Sequence, residues 1–262
     1  MSKINRLPAD ENQQVLYKKF PTTHYLSNPT NVLHVMALCT FWRRNMHRFV
    51  RDYLKLSLYE YQELTIYLMG LSNFICIIAS RNDAKSFIIA LYACCRCILY
   101  PGTKFRIGSA TKKQAKLIVS DKILDELCEW SKPLKAEIED YSTSENNIFV
   151  KFRNGSKITV FVANDNARGL RSNAICREEF RQINKKIEDS VISPFQTVRN
   201  QPYMLNPFYG ENKVLQEDPI DVYISSSWID DGHWMWDIVD QAYEGTYINA
   251  PAVFSAKNIA LV

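Results

Sequence analysis

Apolar positions along the chain recur in two rhythms, one short and continuous, the other helical. Phe74-Ile75-Cys76-Ile77-Ile78 is an unbroken run of β-prone residues, the pattern of a short strand buried on both faces of a parallel sheet. Directly after it, Lys85 to Leu99 is mostly apolar over a length that suits a buried helix. Ser172-Asn173-Ala174-Ile175-Cys176 reads as another short strand, and a further one begins at Asp221. Helical spacing is expected near residues 58–70, 111–131, 184–195 and 232–243. Asn154-Gly155 is a hairpin-turn signal between strands at Asn147–Phe152 and Lys157–Val162. Pro202, Pro207, Gly210 and Pro219 punctuate a surface excursion between 200 and 220. Strands alternating with helices predict an α/β fold with a mostly parallel, doubly wound sheet, whose ligand sits at the carboxyl ends of the strands.

Between that first strand and its helix stand Ala79-Ser80-Arg81-Asn82-Asp83-Ala84-Lys85-Ser86, in the frame of a phosphate-binding loop but with alanine at both glycine positions. Backbone N–H groups of such a turn, with those of the helix start, surround phosphate oxygens with partial positive charge. Lys85 would reach the β- and γ-phosphates and the Ser86 hydroxyl would ligate Mg²⁺. Ala84 departs from the pattern, because glycine permits the unusual dihedrals and close backbone approach of these loops. The same residues also fit an ordinary surface Lys-Ser at a helix start.

The strand at 172–176 runs into Arg177-Glu178-Glu179-Phe180-Arg181. Paired carboxylates at a strand end beside a phosphate loop serve ATP hydrolysis, one ordering hydrated Mg²⁺ and the other polarising the attacking water. Glu178 takes the metal role and Glu179 the base role. A solvated, charged turn is the other reading of Arg-Glu-Glu.

Ala-x-Arg-x-x-[Gly/Ala]-Lys-Ser, then Arg168-Gly169-Leu170-Arg171-Ser172-Asn173 and Glu178-Glu179-Phe180-Arg181-Gln182-Ile183, resembles the ATPase domain of the large terminase subunit, the genome-packaging motor of tailed bacteriophages. Three further segments fit in the same order. Leu58-Tyr59-Glu60-Tyr61-Gln62 resembles the adenine-recognising segment, with Gln62 reading the base edge and Tyr61 packing nearby. Phe105 to Ala115 resembles the strand-to-helix segment after the loop, and Asp221 to Ser227 the strand and coupling motif, whose Ser225 and Ser226 would sense the γ-phosphate. The resemblance spans roughly residues 55 to 262 and implies a P-loop NTPase of the additional-strand, catalytic-glutamate class. The loop residues Ala79 to Ser86 would bind ATP, with Mg²⁺ held by Ser86 and, through water, by Glu178. Arg81, Arg168 and Arg171 are the candidate arginines for stabilising charge on the transferred phosphoryl group; structural pairing with a carboxylate such as Asp165 is the alternative for the last two.

The family further implies double-stranded DNA, a portal protein and a terminase small subunit as partners, a homo-oligomeric ring at the portal, and work in the host cell cytoplasm during virion assembly. It also implies a C-terminal nuclease domain. Residues up to Val262 leave no room for one, so this chain is expected not to cut DNA by itself. Two rivals are a nucleotide-responsive assembly or DNA-binding module with slow or no turnover, and a helicase of related fold, for which no set of helicase motifs stands out.

Composition changes this picture little. The 262 residues suffice for one sizeable domain, and 47% hydrophobic with 23% charged is ordinary globular usage. No apolar run approaches membrane-spanning length, and the N-terminus lacks a signal-peptide pattern. Seven cysteines, among them Cys76, Cys94, Cys95, Cys97 and Cys176, fall on predicted strands and helices without zinc spacing and read as buried reduced thiols. The histidines, His24, His34, His47 and His233, offer no ligand pair. Charge is more informative: residues 1–55 hold nine Lys/Arg against three acids, a net of +6 within a total of +4. They form a basic helical extension to an ATPase domain at 56–262. Asn31 to Leu56 reads as helical, with Trp42, Arg43, Arg44, His47, Arg48 and Arg51 at three- and four-residue spacing. Such a face could touch DNA phosphates, the portal or a neighbouring subunit, or simply be solvated.

Overall fold

The structure, a computed structural model, describes residues 29–80, 84–144, 147–195, 211, 219–227, 232–249 and 258–261. Residues 1–28 with their basic side chains, loop residues Arg81, Asn82 and Asp83, and the excursion punctuated by Pro202, Pro207 and Gly210 lie outside the described residues.

Helices α1 (Pro29–Arg44), α2 (Met46–Asp52) and α3 (Glu60–Leu71) precede strand β1 (Phe74–Ile78) and helix α4 (Lys85–Leu99). Next come β2 (Lys104–Ser109) and α5 (Lys112–Leu117), which widens into a π-helical Ile118–Leu127. After α6 (Lys132–Glu137) follow β3 (Ile138–Ser144), β4 (Asn147–Phe152), β5 (Lys157–Val162), β6 (Ala174–Glu178) and β7 (Ile220–Ser225). Helix α7 (Met235–Asn249) and β8 (Asn258–Leu261) complete the fold.

The eight strands form one sheet in the order β3-β4-β5-β2-β6-β7-β1-β8. From β5 to β8 every neighbouring pair is parallel; β3 and β4 add an antiparallel edge. The doubly wound, mostly parallel expectation therefore holds, and β1 and α4 lie where the apolar runs predict them. The Asn154-Gly155 hairpin is also present, with Gly155 at φ 85 and Val150 opposite Ile158.

Four expectations need correction. The helix expected over Asn31–Leu56 breaks at Asn45, whose amide nitrogen donates to the Phe41 carbonyl at 3.0 Å and whose backbone leaves the helical region. Strand β6 is shifted two residues towards the C-terminus, so Arg177 and Glu178 belong to the strand rather than to a turn. The helix expected at 184–195 is one α-turn at Lys185–Ile187, a π-turn at Glu188–Ile192 and a tight turn at Ser193–Phe195, with Pro194 ending regular hydrogen bonding. The single helix expected over 111–131 changes its winding to π after Leu117.

Alternation along the strands sends side chains to two covered faces. Ile75, Ile77, Phe105, Ile107, Cys176, Val222 and Ile224 join α4 and the π-helical segment in one apolar core, which Met46, Phe49 and Val50 of α2 also enter. Cys76, Ile78, Phe161, Ile175 and Tyr223 pack on the other face against Phe180, Val191, Ile192, Phe195 and α7. On that face Gly108 is required, since a Cβ there would stand 2.3 Å from the ring of Phe161. The cysteines are free thiols, buried except for the half-buried Cys39.

The basic N-terminal face is only partly free. Arg43 is turned inward, where its Nε and Nη2 donate to the Leu99 carbonyl at 2.9 and 2.7 Å, at the last turn of α4. The guanidinium groups of Arg43 and Arg96 lie 4.6 and 3.8 Å from the centre of the Tyr100 ring. Arg48 and Arg51 both pair with Asp52, at 3.2 and 3.3 Å. Among the described residues, no helix is long and apolar enough to cross a membrane.

Candidate nucleotide-binding site

Strand β1 delivers the chain to Ala79, whose N–H donates to the Ser225 carbonyl at 3.1 Å and so extends the pairing with β7 by one residue. The chain enters α4 through Ala84 at φ 54, ψ 26, in the left-handed region. That conformation costs a non-glycine residue roughly 1 kcal/mol, which explains why glycine would suit this place. Among the described residues no side chain caps α4, and its first N–H groups carry the partial positive charge of a helix start. Lys85 folds back over the loop, its Nζ donating to the carbonyls of Ala79 at 3.0 Å and of Ser80 at 2.5 Å.

One turn into α4, Ser86 meets the end of β6. Its Oγ donates to Glu178 Oε1 at 3.2 Å. The other oxygen, Oε2, is buried without a hydrogen-bond partner among the described residues. Burial is the main influence on the Glu178 carboxyl and pushes it above the ordinary range, reinforced by the charge of Glu179. Hydroxyls of Ser86 and Ser109 and the Lys85 ammonium pull the other way.

Glu179 has the opposite character. It turns the chain out of the sheet at φ 47, ψ 48, again left-handed. Its Oε2 accepts from Arg181 Nε at 2.8 Å, Ser226 Oγ at 3.0 Å and Ser225 Oγ at 3.3 Å. Burial pushes this carboxyl up, but Arg181 and Ser226 together outweigh it and hold the group below the ordinary range. Two adjacent carboxylates thus differ in protonation tendency.

No family model matches this chain, and no curated protein matches it in sequence. Among solved structures, the large terminase of bacteriophage HK97 superposes with a TM-score of 0.59 at 14% identity, covering 82% of this chain and 43% of that one. The fold is that of a phage large terminase. A large terminase from a thermophilic bacteriophage (TM-score 0.49, 12% identity, 79% and 45% covered) and the large terminase ATPase domain of Thermus phage P74-26 (0.46, 17%, 79% and 95%) are also similar. The fold assignment rests on the HK97 structure, and at that identity it assigns no residue a role. The chain spans less than half the length of the HK97 protein.

Within this terminase fold the structure brings Lys85, Ser86, Glu178, Glu179, Ser225 and Ser226 to the carboxyl ends of β1, β6 and β7, where a doubly wound sheet holds its ligand. Gln62 is buried and serves its own helix: Oε1 accepts from the Tyr59 backbone N–H at 3.1 Å and Nε2 donates to the Tyr61 hydroxyl at 3.3 Å. Tyr61 is exposed and stacks on Tyr59, ring centres 6.1 Å apart. Arg168 pairs with Asp165 at 2.9 Å on the surface, the alternative its sequence left open. Arg171 is exposed, and the two arginines line an open depression of about 300 Å³ with Ser190, Val191, Pro194 and Phe195. Among the described residues, no hydrogen bond or ion pair joins either to Lys85, Glu178 or Glu179.

Sequence reasoning missed Ser109 and Arg181. Ser109 stands beside Glu178 in the β2–β6 register, a relation only sheet order reveals. Arg181 was legible, two residues beyond a carboxylate in a tight turn.

Proposed function

We propose that this chain is the ATPase part of a phage DNA-packaging motor, hydrolysing ATP to drive double-stranded DNA into a procapsid. One observation carries the reading: on a large-terminase fold, the Ser86 hydroxyl and two carboxylates of opposite character meet at the carboxyl end of the central strands. ATP phosphates bind the N–H groups at the start of α4 with Lys85, which exchanges the Ala79 and Ser80 carbonyls for phosphate oxygens. Oε2 of Glu178, which has no hydrogen-bond partner among the described residues, and the Ser86 hydroxyl fit Mg²⁺, directly or through water. When bound, Mg²⁺ neutralises charge on the phosphates. Glu179 orients the attacking water and accepts its proton. Ser225 and Ser226, hydrogen-bonded to Glu179 at the end of β7, report its state to the rest of the subunit. Arg168 and Arg171, clear of their own subunit's site, suit presentation to the next member of a homo-oligomeric ring. The portal and a small subunit complete the assembly in the host cytoplasm, with Arg44 and the outer face of α1 turned to DNA or to these partners.

A second reading, a nucleotide-responsive assembly module with slow turnover, draws on the hold of Arg181 and Ser226 on Glu179, because a carboxylate held below its ordinary range is a weak base. Steady-state ATP hydrolysis with Mg²⁺, with and without DNA and portal, separates the two. For the motor, Lys85→Ala abolishes turnover, and Glu179→Gln binds ATP but turns over about 10²-fold more slowly or worse. Wild-type hydrolysis by Glu179→Gln overturns the assignment of the base.

A further inference from the structure

Behind the two carboxylates, on the opposite face of the sheet from Ser86, lies a buried charge cluster that the reading above does not use. Arg177 is 1% exposed and Glu188 2%. Arg177 Nε and Nη2 both reach Glu188 Oε1 at 2.9 Å, and Nη1 reaches Asp221 Oδ1. The guanidinium carbon lies 4.3 Å from the centre of the Tyr223 ring. Glu188 Oε1 also accepts from the hydroxyls of Tyr223 at 3.1 Å and Ser193 at 3.0 Å. The cluster therefore fastens β6 to β7 and to the π-turn that follows the carboxylates.

Stability alone does not account for such a cluster. Replacing a buried ion set by neutral side chains of similar volume is often close to neutral, so the distinctive contribution is geometric. A guanidinium is a planar fork with fixed donor directions, and one that bridges two acids on different elements admits a single arrangement. Arg177 is the residue before Glu178 and two before Glu179, where the chain leaves β6 through its left-handed turn. A strained turn of that kind persists only where its surroundings over-determine it. From the other side of Glu179, Arg181, Ser225 and Ser226 hold its carboxylate; Arg177 fixes the backbone it springs from.

We propose that Arg177 is a positioning residue: by locking the end of β6 to Asp221 of β7 and to Glu188, it sets where Glu178 and Glu179 stand. Its kinetic consequence rests on the hydrolase reading above, whereas its conformational consequence does not.

The test is a triple variant, Arg177→Met/Glu188→Gln/Asp221→Asn, which neutralises the cluster without orphaning a charge. Its melting temperature and ATP dissociation constant are expected to stay near wild type, the latter within about twofold, while kcat falls by about tenfold or more. Hydrogen exchange in a peptide covering Glu178–Ile183 is expected to quicken by about tenfold, with peptides of Lys85–Leu99 unchanged. Wild-type exchange over Glu178–Ile183 overturns the proposal, as does a loss of kcat matched by an equal loss of affinity. Should the triple variant fail to fold, Arg177→Lys keeps the charge but loses the fork; it is expected to show the same exchange and kcat changes, and wild-type behaviour overturns the proposal. If the wild-type protein shows no turnover above Lys85→Ala, the hydrolase reading fails, and the exchange measurement still decides the positioning role.

Discussion

Against one face of the sheet, α4 packs Ile88, Ile89, Leu91, Cys94 and Cys95 with no ion pair in that core cluster among the described residues. Against the other, the segment after β6 sets Glu188 onto Arg177, which also pairs with Asp221, amid the rings of Tyr223 and Phe180. Apolar contacts are non-directional and tolerate small shifts, whereas a bridged guanidinium does not. Both faces bury apolar side chains, and the second adds a bridged guanidinium beside the end of β6, a division of labour in which the ion cluster sets position rather than stability. Each carboxylate inherits something of its side. Glu178 alternates onto the apolar face and is pushed up by burial; Glu179, past the strand, is held down by an arginine and hydroxyls.

The contrast breaks most visibly in the apolar core. Ile89 is fully buried in α4, so Ile89→Ala is expected to cost about 3 kcal/mol in chemical unfolding, with turnover of the folded protein within about twofold of wild type. Intact stability with collapsed turnover would reverse the division of labour.

A smaller effect separates the carboxylates by pH. Glu179 sits below its ordinary value, so its stabilising contribution is present above that value and is lost as pH falls through the lowered one. Glu178 sits above its ordinary value, so its contribution is present below that value and is lost as pH rises through the raised one. At pH 7, Glu179→Gln is therefore expected to melt lower than wild type and Glu178→Gln higher, both converging with wild type in acid. Identical shifts in thermal scans would erase the distinction between the two.

The smallest effect lies in the loop leading into α4. Ala84→Gly relieves the left-handed alanine and is expected to stabilise by about 0.5 kcal/mol. A destabilised variant would mean that Ala84 makes a contact worth more than its strain.

Much of the charged face could not be read from sequence, for a physical reason. Strand β1, helix α4 and the β4–β5 hairpin were legible because apolar runs and Asn-Gly act locally. Ala84 was legible too, since an alanine in a glycine position announces the left-handed backbone found there. Arg177 was not. Its partners stand 11 and 44 residues away, so an arginine beside two glutamates looked like solvated charge. Edge strand β3 escaped notice because Glu139, Asp140 and Tyr141 are exposed and leave no apolar alternation. The π-turn at Glu188–Ile192 escaped because its apolar spacing is that of an ordinary helix.

The grip of Arg43 on the Leu99 carbonyl has a structural consequence. Helix α4 is a rod of 15 residues, about 22 Å long, with Leu99 at one end and Lys85 at the other. Two hydrogen bonds from one side chain join α1 to the end of that rod that lies farthest from Ala84. The N-terminal helices are thus joined to the far end of the same helix whose first turn carries Lys85 and Ser86.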